Sequence, residues 1–244
     1  TKFASALSIA CAEELGSNVP EVVESLRIYV ATSQTFADDY YMFQELFAGC
    51  DVNFHDLVSD LVCTATHSGL GPEMFRVLRS WGDKYHHGAI HFLAAFVALN
   101  LGRNDLCVEL CGRIDEANCE VLTLMGQAYL GIQRIDVAIR VLTDAVRLSA
   151  KDPFAWFQLA RAYFASDNIV ECWNALQSCD QVIAGNAEVA LFRGMIALSP
   201  EIDPARAEAA YRQLYPAFLK NLAHEEMITT MLRLALKVDA PDKL

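Results

Sequence analysis

A 34-residue repeat is the feature that most limits the folds open to this chain. The stretch 119–186 divides after residue 152 into two halves of 34 residues, which align without a gap. Residues of similar character occupy equivalent positions in the two halves: Leu122 and Trp156, Met125 and Leu159, Gly126 and Ala160, Tyr129 and Tyr163, Ile135 and Ile169, Ala138 and Cys172, Leu142 and Leu176, and Ala145 and Cys179. Small residues recur where two backbones must approach closely, and bulky apolar ones recur where a neighbour must be covered. The period therefore predicts two copies of one stacked supersecondary unit.

In this period and these positions, the stretch resembles a pair of tetratricopeptide (TPR) repeats. The resemblance implies an all-α fold, a right-handed superhelical solenoid of antiparallel helix hairpins. Apolar residues at helical spacing dominate the rest of the chain, and strand-like alternation is scarce, which also favours helix throughout.

We predict two regions. Residues 1–84 should form degenerate helical hairpins or an N-terminal cap, and residues 85–244 should form TPR-like repeats whose best units are 119–152 and 153–186. Within the first region, Pro72 should open a helix that Gly82 stops.

The flanks of the central pair also show repeat features. Gly88–Ala117 reads as a shorter unit with Gly102 at its turn, and Asp203-Pro204 should start a second helix after Gly194. The last amphipathic segment, Ala223–Val238, is predicted to be a C-terminal capping helix.

The charge of the chain argues against polyanionic partners. The net charge is −12, and residues 1–60 contain ten acidic residues against two basic ones. That sign repels nucleic-acid backbones and anionic lipid headgroups. An acidic face could recruit a basic partner or simply confer solubility. No apolar run approaches the roughly 20 residues that a membrane-spanning helix needs, so we predict no transmembrane segment.

The eight cysteines include no CxxC pair. Cys172 and Cys179 occupy small positions of the repeat, and Cys107 and Cys111 occupy the corresponding part of the preceding unit. Free thiols used as small apolar residues indicate a reducing compartment. We therefore predict unpaired cysteines and a cytoplasmic location.

No pattern of residues indicates a catalytic, cofactor or metal site. His87 and His91 lie four residues apart, and could share a metal with cysteines of the next helix or serve only in packing. The chain has no HExxH, no glycine-rich phosphate loop and no GxSxG motif. We predict a non-enzymatic protein without a bound metal or cofactor.

The TPR resemblance implies a concave groove lined by positions 2, 5, 9 and 12 of each first helix. From the positions counted in this way, we take the predicted groove to comprise Phe92, Phe96, Leu99, Thr123, Gln127, Leu130, Phe154, Phe157, Arg161, Phe164, Leu191 and Met195. Such a lining suits an apolar peptide or helix of a partner protein, although another segment of the same protein could also fill it. The clamp by which some TPR proteins hold chaperone tails needs Lys and Asn, and here only Arg161 could contribute.

A narrower resemblance concerns the fungal Chs5–Arf1-binding proteins, the cargo adaptors of exomer at the trans-Golgi. It is carried by Ala145-Val146, Ser149, Phe154, Trp156, Leu159-Ala160, Tyr163, Asp167-Asn168, Glu171, Ala175-Leu176 and Ser178-Cys179. The family's Asn-Ser-Cys-Pro is here Gln177-Ser178-Cys179-Asp180, without the proline. The resemblance implies binding of membrane-protein tails, a scaffold subunit and an Arf-type GTPase, at the Golgi membrane surface. The alternative is a TPR chaperone for a secretion or assembly client.

Overall fold

The structure is a computed structural model that describes residues 71–85, 88–115, 117–182, 186–220 and 224–238. Over these ranges the chain forms helices, turns and short connections and no strand, so the predicted all-α class is confirmed there. The chain divides into two compact units, Thr1–Glu116 and Ala117–Leu244. The boundary predicted at residues 84/85 falls within the first unit, and the hairpins predicted before residue 71 lie outside the described residues.

The described part of the first unit contains α1 (Gly71–Tyr85), α2 (Gly88–Asn100) and α3 (Asn104–Cys111). Helix α1 packs on α2, and α2 packs on α3. The predicted stop at Gly82 is wrong, because α1 continues three residues beyond it. Gly82 is instead a close-contact position: a Cβ there would lie 2.7 Å from Nδ1 of His91, which is buried in α2.

The second unit is a row of helix hairpins. Its helices are α4 (Cys119–Gly131), α5 (Ile135–Leu148), α6 (Pro153–Ala165), α7 (Ile169–Val182), α8 (Ala187–Ile196), α9 (Pro204–Lys220) and α10 (Glu225–Lys237). Each helix packs on the next, and the first helices of successive hairpins also meet, α4 with α6 and α8 with α10. The hairpins α4–α5 and α6–α7 coincide with the two units predicted from the 34-residue period.

The same period governs how the first helices begin. Asn118, Asp152 and Asn186 stand 34 residues apart, and each caps the helix that follows it. The backbone N–H of Val121 donates to Asn118 Oδ1 at 2.9 Å, and the N–H of Phe154 donates to Asp152 Oδ1 at 2.9 Å. These side chains satisfy helix-terminal donors that have no partner within the helix. The repeat thus includes its own start signal.

The turns between paired helices also repeat. Gly102, Gln133 and Asp167 all have a positive φ, of 71°, 62° and 61°. Gln133 and Asp167 are 34 residues apart, and Gly102 takes the corresponding place in the shorter preceding unit. The left-handed conformation reverses the chain in three residues and suits glycine, whereas glutamine adopts it at a cost.

Small residues allow the helices of each hairpin to approach closely. Gly126 is buried in α4, and a Cβ there would lie 2.6 Å from Cδ2 of the fully buried Leu142 in α5. Cys172 and Cys179 are completely buried in α7, as the repeat alignment predicts for small core residues. Bulky apolar residues fill the space around them, because protein interiors tolerate few voids.

Polar contacts join the last helices. Arg193 of α8 is buried, forms an ion pair with Asp180 of α7, and donates to Gln213 Oε1 of α9 at 2.7 Å. Its guanidinium also lies over the ring of Trp173, 5.4 Å from the centroid. One side chain therefore connects α7, α8 and α9, and pairing offsets the cost of burying its charge.

Candidate functional site

The predicted groove residues fall in both units. Phe92, Phe96 and Leu99 lie on α2 of the first unit and are half-buried. The other nine lie on α4, α6 and α8, the first helices of the second unit's hairpins. The second unit therefore contains most of the predicted groove.

Helix α4 contributes less surface than predicted. Thr123 is only 1% exposed, and its hydroxyl donates to the carbonyl oxygen of Cys119 at 2.7 Å. Its prediction as a lining residue is therefore corrected: the short side chain turns back onto its own helix and offers nothing to a ligand. Gln127 and Leu130 are half-buried, and Leu130 packs against the core formed by α5 and α6.

Helix α6 contributes the most apolar surface. Phe154 is 51% exposed and Phe164 is 45% exposed, at opposite ends of the helix. Phe157 lies between them and is half-buried against the core. Arg161 is exposed, and its Nη1 donates to Oε1 of the buried Gln158 at 3.2 Å. The predicted face of α6 is thus three phenylalanines and one guanidinium.

An aromatic cluster joins α6 to α8. The ring of Phe192 meets Phe157 edge to face at 5.7 Å and Phe164 in the same manner at 5.5 Å. Such pairs contribute about 0.5–1.5 kcal/mol each beyond the area they bury. Phe192 was not predicted because it is at position 6 of its helix, outside positions 2, 5, 9 and 12; the equivalent residues in α4 and α6, Leu124 and Gln158, are buried.

A pocket lies beyond this cluster. It has a volume of about 820 Å³ and lies among the ends of α6 and α8 and one side of α10. We call it the terminal pocket; it is lined by Phe164, Met195, Leu198, His224, Glu225, Glu226, Thr229, Thr230 and Arg233. Phe164 and Met195 are predicted groove residues, and Met195 is 36% exposed. Half-buried Leu191 instead packs against the core.

Helix α10 provides a wall of this pocket and is not merely a cap. His224 is the N-cap of α10, so Glu225 is position 1 of the helix. Positions 2, 5 and 9 are then Glu226, Thr229 and Arg233, and all three line the pocket. These are the positions that define the predicted groove in α4, α6 and α8. The sequence therefore contained the pattern that marks α10 as a groove helix, but its positions can be numbered only when the N-cap residue is known.

Lys237 fixes α10 against the preceding hairpin. Its ammonium donates to the carbonyl oxygens of Ala197, Ser199 and Ile202 at 2.8, 2.7 and 3.1 Å. All three donors of the ammonium are satisfied. The wall of the terminal pocket is thereby joined to the connection between α8 and α9.

Charges of both signs stand at the terminal pocket. Glu225 and Glu226 are exposed in the first turn of α10, and Arg233 is exposed two turns further on. Within the part of the chain that the structure describes, no ion pair engages these three side chains. At the N-cap, His224 Nδ1 accepts from the N–H of Met227 at 3.3 Å.

The buried thiols are suited to packing and not to nucleophilic chemistry. Burial raises the pKa of Cys172 to about 12 and that of Cys179 to about 11, from an ordinary value of 9.0. A hydrogen bond with Cys111, together with burial, raises the pKa of Cys107 strongly. At neutral pH these thiols stay protonated, whereas the thiolate is the reactive form.

The described residues were also compared with two sequence predictions, the absence of a metal site and the absence of a membrane-spanning helix. No group of three or more His, Cys, Asp and Glu side chains lies close enough there to share a metal ion. His87 is outside that part of the chain, and His91 packs against Gly82. Over the same residues, none of the helices has the length and apolar character required to cross a bilayer.

Solved structures of TPR proteins share this fold at low sequence identity. TTC0263, a thermophilic TPR protein in Thermus thermophilus, matches with a TM-score of 0.58 and 14% identity, over 75% of this chain and 99% of that chain. YrrB, a TPR protein with an unusual peptide-binding site, matches with a TM-score of 0.53 and 12% identity, over 77% and 96%. A chain of the APC/C hetero-tetramer Cut9–Hcn1 matches with a TM-score of 0.61 and 14% identity, over 96% of this chain and 46% of that chain.

No protein-family model matches the sequence, and no curated protein does. At 12–14% identity the structural matches show the fold alone. This chain therefore has the TPR fold, and a fold does not by itself specify a partner.

Proposed function

We propose that this protein is a non-enzymatic interaction scaffold that binds a peptide or helical segment of a partner protein. The binding surface is the groove face of the second unit, which we define as Gln127, Leu130, Phe154, Arg161, Phe164 and Met195 together with the terminal pocket. The observation that carries the proposal is the half-exposure of Phe154, Phe164 and Met195 on first helices. Phe164 and Met195 line the same pocket, and adjoining exposed apolar side chains mark interaction sites more often than isolated ones do.

The physical basis for binding is the apolar area that a partner would cover. Covering a phenylalanine that is half exposed stabilises a complex through roughly 25 cal/mol per Å² of apolar surface removed from water. In the cluster of Phe157, Phe164 and Phe192, the rings already pack edge to face before a partner binds. A surface that is already ordered loses less conformational entropy when a ligand arrives.

A peptide library displayed on phage tests this function. Peptides rich in aromatic or aliphatic residues should be enriched on the immobilised protein, and the double variant Phe154→Ala/Phe164→Ala should lose that enrichment. The double variant Leu148→Ala/Leu219→Ala is the matched control, because both leucines are exposed on second helices. Equal enrichment on all three folded proteins would show that the groove face is not the binding surface.

Two narrower roles belong to the same proposal. The exomer-like adaptor would bind membrane-protein tails, a scaffold subunit and an Arf-type GTPase at the Golgi. Its resemblance, however, rests largely on repeat-building residues such as Ala160, Leu176 and Cys179, which are buried. The chaperone role would use the groove face to shield an apolar client segment. Direct binding of a nucleotide-loaded Arf GTPase supports the adaptor, and suppression of client aggregation supports the chaperone.

A further inference from the structure

We propose that the terminal pocket selects a partner segment by its charge pattern: a basic side chain and an acidic side chain four residues apart, with a bulky apolar side chain midway between them. The inference rests on the proposed function, because it specifies the kind of sequence that one part of the groove face would take. It concerns the pocket's own residues and requires no other part of the protein.

The apolar part of the pocket fits one large side chain of the segment. Phe164 and Met195 expose apolar surface towards it, and the half-buried Leu198 continues that surface. The volume of about 820 Å³ lies within the range of specific ligand sites, roughly 300–1,000 Å³, and exceeds what one side chain fills. Neighbouring residues of the segment must therefore also lie in the pocket or along its rim.

The polar groups of the pocket are separated along α10. Glu225 and Glu226 begin the helix, whereas Arg233 stands eight residues after Glu225. At 1.5 Å of rise per residue, the backbone positions of Glu225 and Arg233 are about 12 Å apart along the helix axis. The two carboxylates therefore stand at the start of α10 and the guanidinium two turns further on, so the two ends of this wall carry opposite charges.

An extended segment matches this spacing. Side chains at positions i, i+2 and i+4 of an extended chain point to the same side, and positions i and i+4 are about 13 Å apart. A lysine or arginine at one end can therefore reach the two carboxylates, an acidic residue can reach Arg233, and the central side chain meets Phe164 and Met195. Segments with like charges at both ends place one charge against its own sign. The pocket therefore distinguishes segments that are equally apolar.

Four fluorescein-labelled peptides test the inference on the full chain by fluorescence anisotropy. The first is Gly-Lys-Ser-Phe-Ser-Glu-Gly, and the others replace its Lys and Glu by two lysines, two glutamates or two glutamines. The Lys/Glu peptide should bind most tightly, about fivefold or more above the two-glutamate peptide, because in the latter one exposed ion pair is replaced by a contact between like charges.

Variants of the protein should change the order of preference in a predictable way. Arg233→Glu makes the pocket uniformly acidic, so the two-lysine peptide should become the tightest. The double variant Glu225→Lys/Glu226→Lys makes it uniformly basic, so the two-glutamate peptide should lead. Glu171→Lys/Arg140→Glu, which changes exposed charges on second helices, is the matched control and should keep the original order. Circular dichroism verifies folding, and Glu225→Gln/Glu226→Gln replaces the lysine variant if the reversed charge unfolds α10.

The possible results separate this inference from the proposed function. If the two-glutamine peptide binds as tightly as the Lys/Glu peptide and Phe164→Ala weakens both, the groove face binds peptides without reading their charge, and the inference is wrong. The inference is equally wrong if no probe binds while library enrichment still depends on Phe154 and Phe164. If none of the four peptides binds and no library peptides are enriched on the parent protein, both proposals are rejected. If sedimentation shows a dimer that Arg233→Glu dissociates, the occupant is a second copy of the chain and the inference is also rejected.

Discussion

At the scale of single residues, Gly126 shows how the absence of a side chain sets the distance between two helices. Any Cβ at this position would overlap the side chain of Leu142, which is fully buried. The alanine that replaces a glycine normally stabilises a helix by about 1 kcal/mol. Overpacking of a core costs roughly 1–3 kcal/mol, so the destabilisation by the steric overlap should exceed the stabilisation by alanine's higher helix propensity.

We therefore expect Gly126→Ala to lower the free energy of unfolding and Gly126→Leu to lower it by roughly 1–3 kcal/mol or more. Gly112→Ala is the control, because Gly112 is exposed and a Cβ there would meet its nearest atoms at 3.4 Å. Thermal denaturation measures the difference. A melting temperature for Gly126→Leu that equals that of the parent protein would mean that α4 and α5 are packed in a different register.

The buried cysteines lead to a prediction about alkaline pH. Cys172 and Cys179 have pKa values of about 12 and 11 in the folded protein, above the ordinary 9.0 of an exposed thiol. Because the folded state disfavours the thiolate, their contribution to stability is complete below pH 9 and is lost as the pH rises from 9 towards 12. The denaturant midpoint should fall over this range, and it should fall less steeply in Cys172→Ala/Cys179→Ala.

Alkylation provides an independent measurement on the same residues. At pH 8, iodoacetamide should modify Cys172 and Cys179 slowly in the folded protein and rapidly in denaturant, since the thiolate fraction is small and access is blocked. Fast labelling of both residues without denaturant, or a disulfide between any two of the four buried cysteines, would contradict their assignment as packing residues.

At the scale of the helices, the repeat is defined by its ends as much as by its core. The caps at Asn118, Asp152 and Asn186 and the turns at Gln133 and Asp167 follow the same 34-residue period as the buried small residues. Each cap stabilises its helix by about 1 kcal/mol. The left-handed turn residues are the weak points of the same units, because a residue with a Cβ is strained at positive φ.

Glycine at the turn position should therefore increase the stability of the folded protein. We expect Gln133→Gly to raise the free energy of unfolding by about 0.5–1 kcal/mol, because glycine adopts a φ of 62° without steric strain. The control Asp144→Gly, at an exposed position inside α5, should lower it by about 1 kcal/mol. Chemical denaturation of the three proteins measures both effects, and destabilisation by Gln133→Gly would show that the glutamine side chain has a role that the turn geometry does not reveal.

At the scale of the whole molecule, the second unit contains a core of its own. Two clusters of buried residues extend through it, one centred on α5 and α6 and the other running from α6 to α10. In stacked repeats, stability arises mainly from each unit and its immediate neighbours. The fragment 117–244 should consequently be able to fold by itself.

We expect that fragment to be helical by circular dichroism and to melt cooperatively. A shorter fragment, 117–186, is the comparison: it keeps both central repeats but lacks α8, α9 and α10, and so exposes apolar residues of α7 that those helices help to cover. It should melt at a lower temperature. An unfolded 117–244 fragment would mean that its core requires residues from the first unit.

The sequence by itself determined the all-α class, the register of the two central hairpins and the identity of their small core residues. These features follow from local periodicity, because a repeated pattern of small and bulky residues indicates which face of each helix is buried. Only the tertiary structure decided which neighbouring helix covers each of these faces. Gly82 thereby became a packing position within α1, Thr123 became buried, and Phe192 joined Phe157 and Phe164. The terminal pocket is the clearest example, because Glu226 and Arg233 line one pocket with Phe164 and Met195 only when α10 packs beside α8. That packing joins residues distant in the chain, and no local pattern specifies it.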